Sequence, residues 1–267
     1  MREHGLTSTR FDEIRWVEET ESTNADLVAY AKSSPDTGAV LFTDLQTAGR
    51  GRRDRRWVMS SGGGVLVSFY VPWLDSASLH IVPSALAVGA IETLQSWSSL
   101  VSVSLKWPND VVAVVDGRTR KLAGMLSEVV LINQRPCGVV VGLGCNISWP
   151  TEGEVAAEPE TLGRAVALET LTEAPVDRVA FGRELLAQFE RELERAESLG
   201  TESVIDRWRS RCSTIGTDIE LQMEGGSVRG RATDIDSDGA LLVEVEGRLR
   251  RFAVGDVVHL RPGDSGD

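Results

Sequence analysis

The sequence predicts an α+β protein that ends in a small all-β unit. Three observations carry that expectation. Helical periodicity and strand-like apolar runs alternate irregularly through about residue 212, which suits a mixed sheet with helices packed behind it. A segment rich in proline, glycine and acids at 150–163 interrupts that pattern and reads as a surface loop. From Thr214 the chain turns to short alternating strands separated by Gly225-Gly226, Asp236-Ser-Asp-Gly239 and Glu246-Gly247. A stretch of that length and pattern fits a small β-barrel and little else. The expected division is a catalytic domain over 1–212, a barrel over 213–262 and a disordered tail over 263–267.

The elements follow in order. Residues 1–13 are polar and read as loose. Arg15-Trp-Val-Glu-Glu is a first strand. Ser22 or Thr23 caps a helix through Ala25–Ala31, because a hydroxyl there can accept from the unpaired amides of the first turn. Ala39–Thr43 and Gly64–Val71 are strands. Ile81 to about Ser96 is a long apolar helix with small residues at Ala85, Ala87, Gly89 and Ala90, which permit close packing. Val101–Leu105 alternates and stops at Lys106-Trp-Pro-Asn-Asp110. Val111–Val115 and Lys121–Val130 form a hairpin across Asp116-Gly117. Cys137–Asn146 is nearly unbroken in apolar residues and reads as a buried strand. Asp177–Leu199 carries Val179, Leu185, Leu186, Phe189 and Leu193 on one face and is an amphipathic helix. Val204–Cys212 is a shorter one.

Composition narrows the function. With 267 residues, 42% apolar and 25% charged, the chain is long enough for one sizeable core and a small second unit. A formal charge of −12 argues against a general nucleic-acid binder. Cys137, Cys145 and Cys212 are odd in number and lack metal spacing, which suits a reducing compartment. The start Met1-Arg-Glu-His has no apolar signal segment, and no apolar run approaches the ~20 residues of a membrane span. The expected location is cytoplasmic, without membrane contact.

Against that acidic background stands Gly49-Arg-Gly-Arg-Arg-Asp-Arg-Arg-Trp57, with five arginines and one aspartate. Glycines let backbone amides approach an anion, arginines pair with phosphate or carboxylate oxygens, and a tryptophan offers a stacking face. The set suits a nucleoside triphosphate held beside a second acidic substrate.

Four local motifs stand in order: Glu21-Ser-Thr-Asn24; Gln46-Thr-Ala-Gly-Arg-Gly-Arg52; Lys106-Trp-Pro-Asn-Asp110 followed by Lys121-Leu-Ala-Gly124; and Gly142-Leu-Gly-Cys-Asn146. Together with the terminal β segment they resemble the biotin–protein ligases over about residues 15–262. The resemblance implies a class II synthetase-like catalytic fold followed by an SH3-like barrel. It implies activation of biotin by ATP to biotinyl-5′-AMP, with Mg²⁺ on the phosphates, then transfer to a lysine of a biotin carboxyl carrier domain. Acetyl-CoA, acyl-CoA and pyruvate carboxylases are the implied sources of that domain.

The reaction sets two acids against each other, so fixed positive charge is needed. Lys121, Arg52 and Arg50 are the expected catalytic residues. The resemblance places biotin on Ser22, Thr23, Asn24, Gln46, Gly49, Arg50, Lys121, Gly142 and Gly144. Hydroxyls and amides suit its ureido ring, and the bare backbone of Gly142 and Gly144 suits its apolar chain. It places ATP or the adenylate on Arg52, Arg53, Trp57, Asn109, Asp110 and Asn146, with Trp57 a wall for adenine and Asp110 a candidate metal contact. Members of that family commonly carry glycine where this chain has Asp54, a charge open to pairing with Arg53 or Arg55. Like charges along 49–57 suggest a loop that is mobile until an anion arrives. About a dozen residues precede the first strand, too few for a helix-turn-helix reader, so no sequence-specific DNA binding is expected. Cys145 reads as a packing residue, with no histidine near it in sequence. Two other readings stay open: a lipoate–protein ligase, and a nucleic-acid-binding protein that uses the arginine loop.

Overall fold

Nearly continuous apolar strands imply a sheet covered on both faces, and the fold is built that way. The computed structural model describes residues 5–72, 79–97, 102–149 and 164–260. The expected loop 150–163, the tail 263–267 and Val101 lie outside the described residues. Strands β1 (Glu13–Thr20), β2 (Ala39–Gln46), β3 (Gly64–Pro72), β4 (Val103–Lys106), β5 (Asp110–Val115), β6 (Arg118–Ile132) and β7 (Arg135–Asn146) form one sheet in the order β1-β2-β3-β7-β6-β5-β4. The β1–β2 pair is parallel and the others are antiparallel. Asp116 and Gly117, both at positive φ, turn β5 into β6 as expected.

Residues of β7 alternate between two surroundings. Val139, Val141, Leu143 and Cys145 join the main core beneath helices α2 (Ile81–Trp97) and α4 (Arg178–Leu199). Burial pushes the Cys145 thiol up to about 12, so it stays protonated and serves packing. Between the two helices a Cβ on Gly89 would come within 3.0 Å of the Phe189 backbone nitrogen, which is the close approach its small size allows. Val140 faces the other way, with Tyr70 and Val130, toward α1 (Thr23–Ser33). Helix α1 covers only part of that second face. The site forms at the N-terminal edge of that helix, over Gly142 and Gly144.

Two sequence readings need amendment. The segment before β1 is docked rather than loose from residue 5 onward: Phe11 is buried and stacks on Phe189, and Ser8 donates to Glu190 at 2.5 Å. One aromatic anchor outweighs a polar surrounding. A short helix α3 (Leu168–Thr172) had no usable signal, since five residues carry too little periodicity.

Helix α5 (Glu202–Ser210) leads back to the sheet edge, where Cys212 bridges to Leu105 of β4. The chain then enters a second sheet. Strands β8 (Asp218–Met223), β9 (Gly226–Ile235), β10 (Leu241–Val245), β11 (Arg248–Phe252) and β12 (Asp256–His259) lie in the order β11-β10-β9-β8-β12, all antiparallel. It is fastened beneath the Trp107–Pro108 turn. Thr214 Oγ1 accepts from the Trp107 amide at 3.1 Å and lies 3.2 Å from His259 Nε2. The Trp107 indole donates to Gly239 O at 3.0 Å.

Candidate active site

The helix α1 terminus supplies the polar end of the site. Ser22 is its N-cap, accepting from the Ala25 amide at 3.5 Å, and Ser22, Thr23 and Asn24 are each 4% exposed. Buried polar groups must find partners, and these form a chain. Gln46 Oε1, at the end of β2, accepts from the Thr23 amide at 2.9 Å. Thr23 Oγ1 meets Ser68 Oγ at 2.7 Å, and Ser68 Oγ donates to Asn24 Oδ1 at 2.6 Å. Asn24 Nδ2 donates to Leu126 O at 3.1 Å and to Glu128 Oε2 at 2.9 Å, so both its amide hydrogens are used. Arg50 Nη2 closes the chain on Glu128 at 2.8 Å.

The floor is a sheet feature. Gly144 lies between Leu66 of β3 and Gly124 of β6, and Gly142 between Ser68 and Leu126. A Cβ on Gly142 would sit 2.2 Å from Asn24 Oδ1, and one on Gly144 would sit 2.5 Å from the Trp57 ring. The space was expected to receive an apolar ligand chain. Asn24 and Trp57 border that space, because the helix and the loop both approach bare backbone. The Trp57 indole Nε1 is buried without a hydrogen-bond partner among the described residues. Lys121 Nζ lies 5.3 Å from the centre of that ring.

The loop 49–57 folds back as a narrow turn. Gly51 N donates to Arg55 O at 2.7 Å and Trp57 N to Gly49 O at 3.0 Å, with Arg53 and Asp54 at positive φ. Mutual repulsion of its arginines is offset from inside the protein. Asp256, at the start of β12, lies 3.2 Å from Arg52, 3.5 Å from Arg53 and 2.6 Å from Arg55. Asp54 is exposed and takes neither of its neighbouring arginines, since both turn to Asp256. Arg52 also reaches Asn109 Oδ1 at 3.3 Å and Gly255 O at 3.1 Å. Burial lowers its pKa, and Asp256 opposes that.

Across the pocket, Lys121 Nζ and Asp110 Oδ1 are 2.6 Å apart, an ion pair too oblique to count as a hydrogen bond. Asn109 donates to Met125 O at 2.6 Å. Lys106 shares the pocket, and burial lowers its pKa, with Asp110 opposing and Lys121 adding to the shift.

These parts enclose a cleft of about 190 Å³. Six cations (Arg50, Arg52, Arg55, Arg56, Lys106, Lys121) and two carboxylates (Asp110, Asp256) line it, which suits a polyanion. The structure brings Ser22, Thr23, Asn24, Gln46, Arg50, Arg52, Trp57, Asn109, Asp110, Lys121, Gly142 and Gly144 together around it. Three expected residues lie off its lining. Gly49 sits behind the loop, where a Cβ would come 2.4 Å from Trp57 O. Arg53 turns outward to Gln222 O at 2.8 Å. Asn146 donates to Val166 O at 3.2 Å and so ties the strand end to a neighbouring segment. Sequence reasoning missed Lys106, Ser68, Glu128 and Asp256. Lys106 opens a quoted motif and was visible; the other three become site residues only through the fold.

Comparison with known proteins addresses the same regions. Residues 16–146 match the biotin/lipoate A/B protein ligase family, and residues 214–260 match the biotin protein ligase C-terminal domain. The chain is 37% identical over 252 residues to a biotin–[acetyl-CoA-carboxylase] ligase of Mycobacterium tuberculosis, covering 92% of this chain and 88% of that one. This chain belongs to the biotin–protein ligase family. A ligase of the same description from Paracoccus denitrificans is 28% identical, over 84% of this chain and 91% of that one. Among solved structures, the biotin protein ligase of Aquifex aeolicus in complex with biotin and ATP superposes with a TM-score of 0.75 at 25% identity. That match covers 94% of this chain and all of the other. The mixed sheet with helices and the C-terminal β unit is thus the architecture of biotin–protein ligases.

Proposed function

We propose that the cationic cleft is where this biotin–protein ligase activates biotin with ATP and from which it hands the acyl group to a carrier lysine. ATP-dependent biotin ligation is the activity of the family; the residue roles are our reading. The observation that carries it is the meeting of Arg52, Lys121 and the α1 terminus in one cleft. In the first step a biotin carboxylate oxygen attacks the α-phosphorus, and pyrophosphate leaves with the electron pair of the broken P–O bond. Lys121 and Arg52 neutralise the approaching anions. Arg55, Arg56 and Lys106 supply further charge for the β- and γ-phosphates. Thr23, Ser22 and the free Gln46 amide hydrogens offer the polar end for the ureido ring. Trp57 stacks over ligand lying on the strand floor.

Mg²⁺ would arrive with the triphosphate and supply Lewis-acid neutralisation. Asp110, a carboxylate of the cleft, would be its contact with the protein, and the phosphates would supply further ligands. Carrier domains of acetyl-CoA carboxylase, and of acyl-CoA and pyruvate carboxylases, are the acceptors we propose. We divide the chain into a catalytic unit through about 212 and a C-terminal unit over 213–262, and we place its work in the cytoplasm.

Biotin-dependent ATP–pyrophosphate exchange tests the first step, and labelled biotin on the carrier lysine tests the second. Exchange with biotin and none with lipoate is expected. Exchange driven by lipoate, or none with either acid, would contradict this reading.

A further inference from the structure

A second cleft of about 300 Å³ opens beside the first. Its walls come from the N-terminal turn of α2 (His80, Pro83, Ser84), from α5 (Ile205, Trp208) and from the C-terminal unit (Asp238, Ala253, Val254). It shares Arg52, Trp107, Pro108, Asn109, Met125 and Leu126 with the first cleft, so these side chains part the two. Their chemistry differs sharply. Arg52 is the single cation among the described lining residues here, against six next door. The remainder is mostly apolar, with one carboxylate, Asp238, which already accepts from Arg251 at 2.7 Å. Such a lining disfavours phosphate and favours an alkyl chain.

The second half-reaction needs such an entrant. Once the adenylate fills the cationic cleft, an amine must reach the acyl carbon from another side. We propose that the acceptor lysine of the carrier enters through this second cleft and meets the acyl carbon at the shared Arg52–Asn109 wall. This rests on the two-step reading above. The amine lone pair forms the C–N bond, the acyl C–O bond to phosphate breaks, and AMP departs with that electron pair. The lysine arrives as an ammonium and must lose a proton before attack. His80 Nε2 is buried in this cleft without a partner among the described residues. With its proton on Nδ1, it is an acceptor waiting for an N–H donor. Val254 at the rim is 66% exposed, so an apolar contact there is unsatisfied in the free protein.

Three variants test the route: the double Ala253→Trp/Val254→Trp, which fills it, Asp238→Lys, which repels an ammonium at its rim, and His80→Ala. Each is assayed for biotin-dependent exchange, for transfer to an intact carrier domain, and for transfer to Nα-acetyl-lysine. Exchange within twofold of the unsubstituted enzyme is expected, with both transfers slowed tenfold or more. Unchanged transfer would overturn the proposal. Slower transfer to the carrier alone would also overturn it, because the cleft would then be a docking surface and not a passage. Exchange falling as far as transfer, with unchanged melting temperature, would assign the cleft to the nucleotide instead. Absence of exchange in the unsubstituted enzyme would strike the activation reading itself, which keeps the two failures apart.

Discussion

The two sides of the cationic cleft are ordered by different means. At the α1 terminus, Ser22, Thr23 and Asn24 are consecutive, buried and bonded to strands of the same sheet. Across from them, the arginine loop is held by one carboxylate more than two hundred positions later, Asp256 in the second sheet. The first side is rigid because unpaired buried polar groups cost about 1–3 kcal/mol each. The second is conditional: Arg53 and Arg55 are exposed, and pairs of that kind contribute about 0–1 kcal/mol and can be exchanged for a stronger anion, with the half-buried Arg52 pair the firmer one. On the proposed reading, the fixed half takes the neutral ring and the exchangeable half takes the polyanion.

The largest effects should come from the exchangeable half during chemistry. Lys121→Ala or Arg52→Ala should lower biotin-dependent exchange about 100-fold or more, the scale for losing one preorganised charge donor. Thermal melting should shift by only a few degrees, and a matching collapse in melting would recast these residues as structural. On the fixed side, Asn24→Ala removes the acceptor of the Ser68 hydroxyl and the donors to Leu126 O and Glu128. A loss of about 1–3 kcal/mol in urea unfolding is expected, together with a raised KM for biotin and an unchanged KM for ATP. Equal rises in both would erase the distinction between the halves.

A smaller effect concerns the seam that carries Asp256. Burial, with Lys106 nearby, lowers the His259 pKa from 6.5 to about 4. Between those values the folded protein binds fewer protons at this site than the unfolded chain. Its contribution to stability is therefore complete above about pH 6.5 and is lost as pH falls toward 4. His259→Gln keeps a partner for Thr214 and should flatten the fall in melting temperature over that window. A parallel fall in both proteins would remove His259 from the account. The smallest effect is expected at Asp54, which sits at φ +58°. Glycine there relieves about 1 kcal/mol of left-handed strain, so Asp54→Gly should raise the melting temperature slightly. Exchange should stay within twofold; a lowered melting temperature would give Asp54 a partner in solution.

Legibility in the sequence followed the same divide. Strands β3 and β7 announced themselves through unbroken apolar runs, and the Asp116-Gly117 turn through its residue types. The four motifs brought eleven of the expected residues to one cleft, and the arginine run added Trp57. What lay above the glycines was not legible, because Asn24 and Trp57 reach them only after α1 and the loop have packed. Ser68 looked like any strand serine until its parity put it beneath Asn24. Asp256 had no local signal at all, since its role depends on how the second sheet sits against the loop. It adds a term the sequence did not show: Asp256 is an anion from within the protein that offsets repulsion among the arginines.

A crystal structure with biotin and a non-hydrolysable ATP analogue addresses that exchange of anions directly. The triphosphate oxygens should lie at about 2.7–2.9 Å from the guanidinium of Arg52, with the Arg52 and Arg55 contacts to Asp256 broken or lengthened. Arginines still seated on Asp256, with the nucleotide bound away from Arg52 and Lys121, would contradict the account.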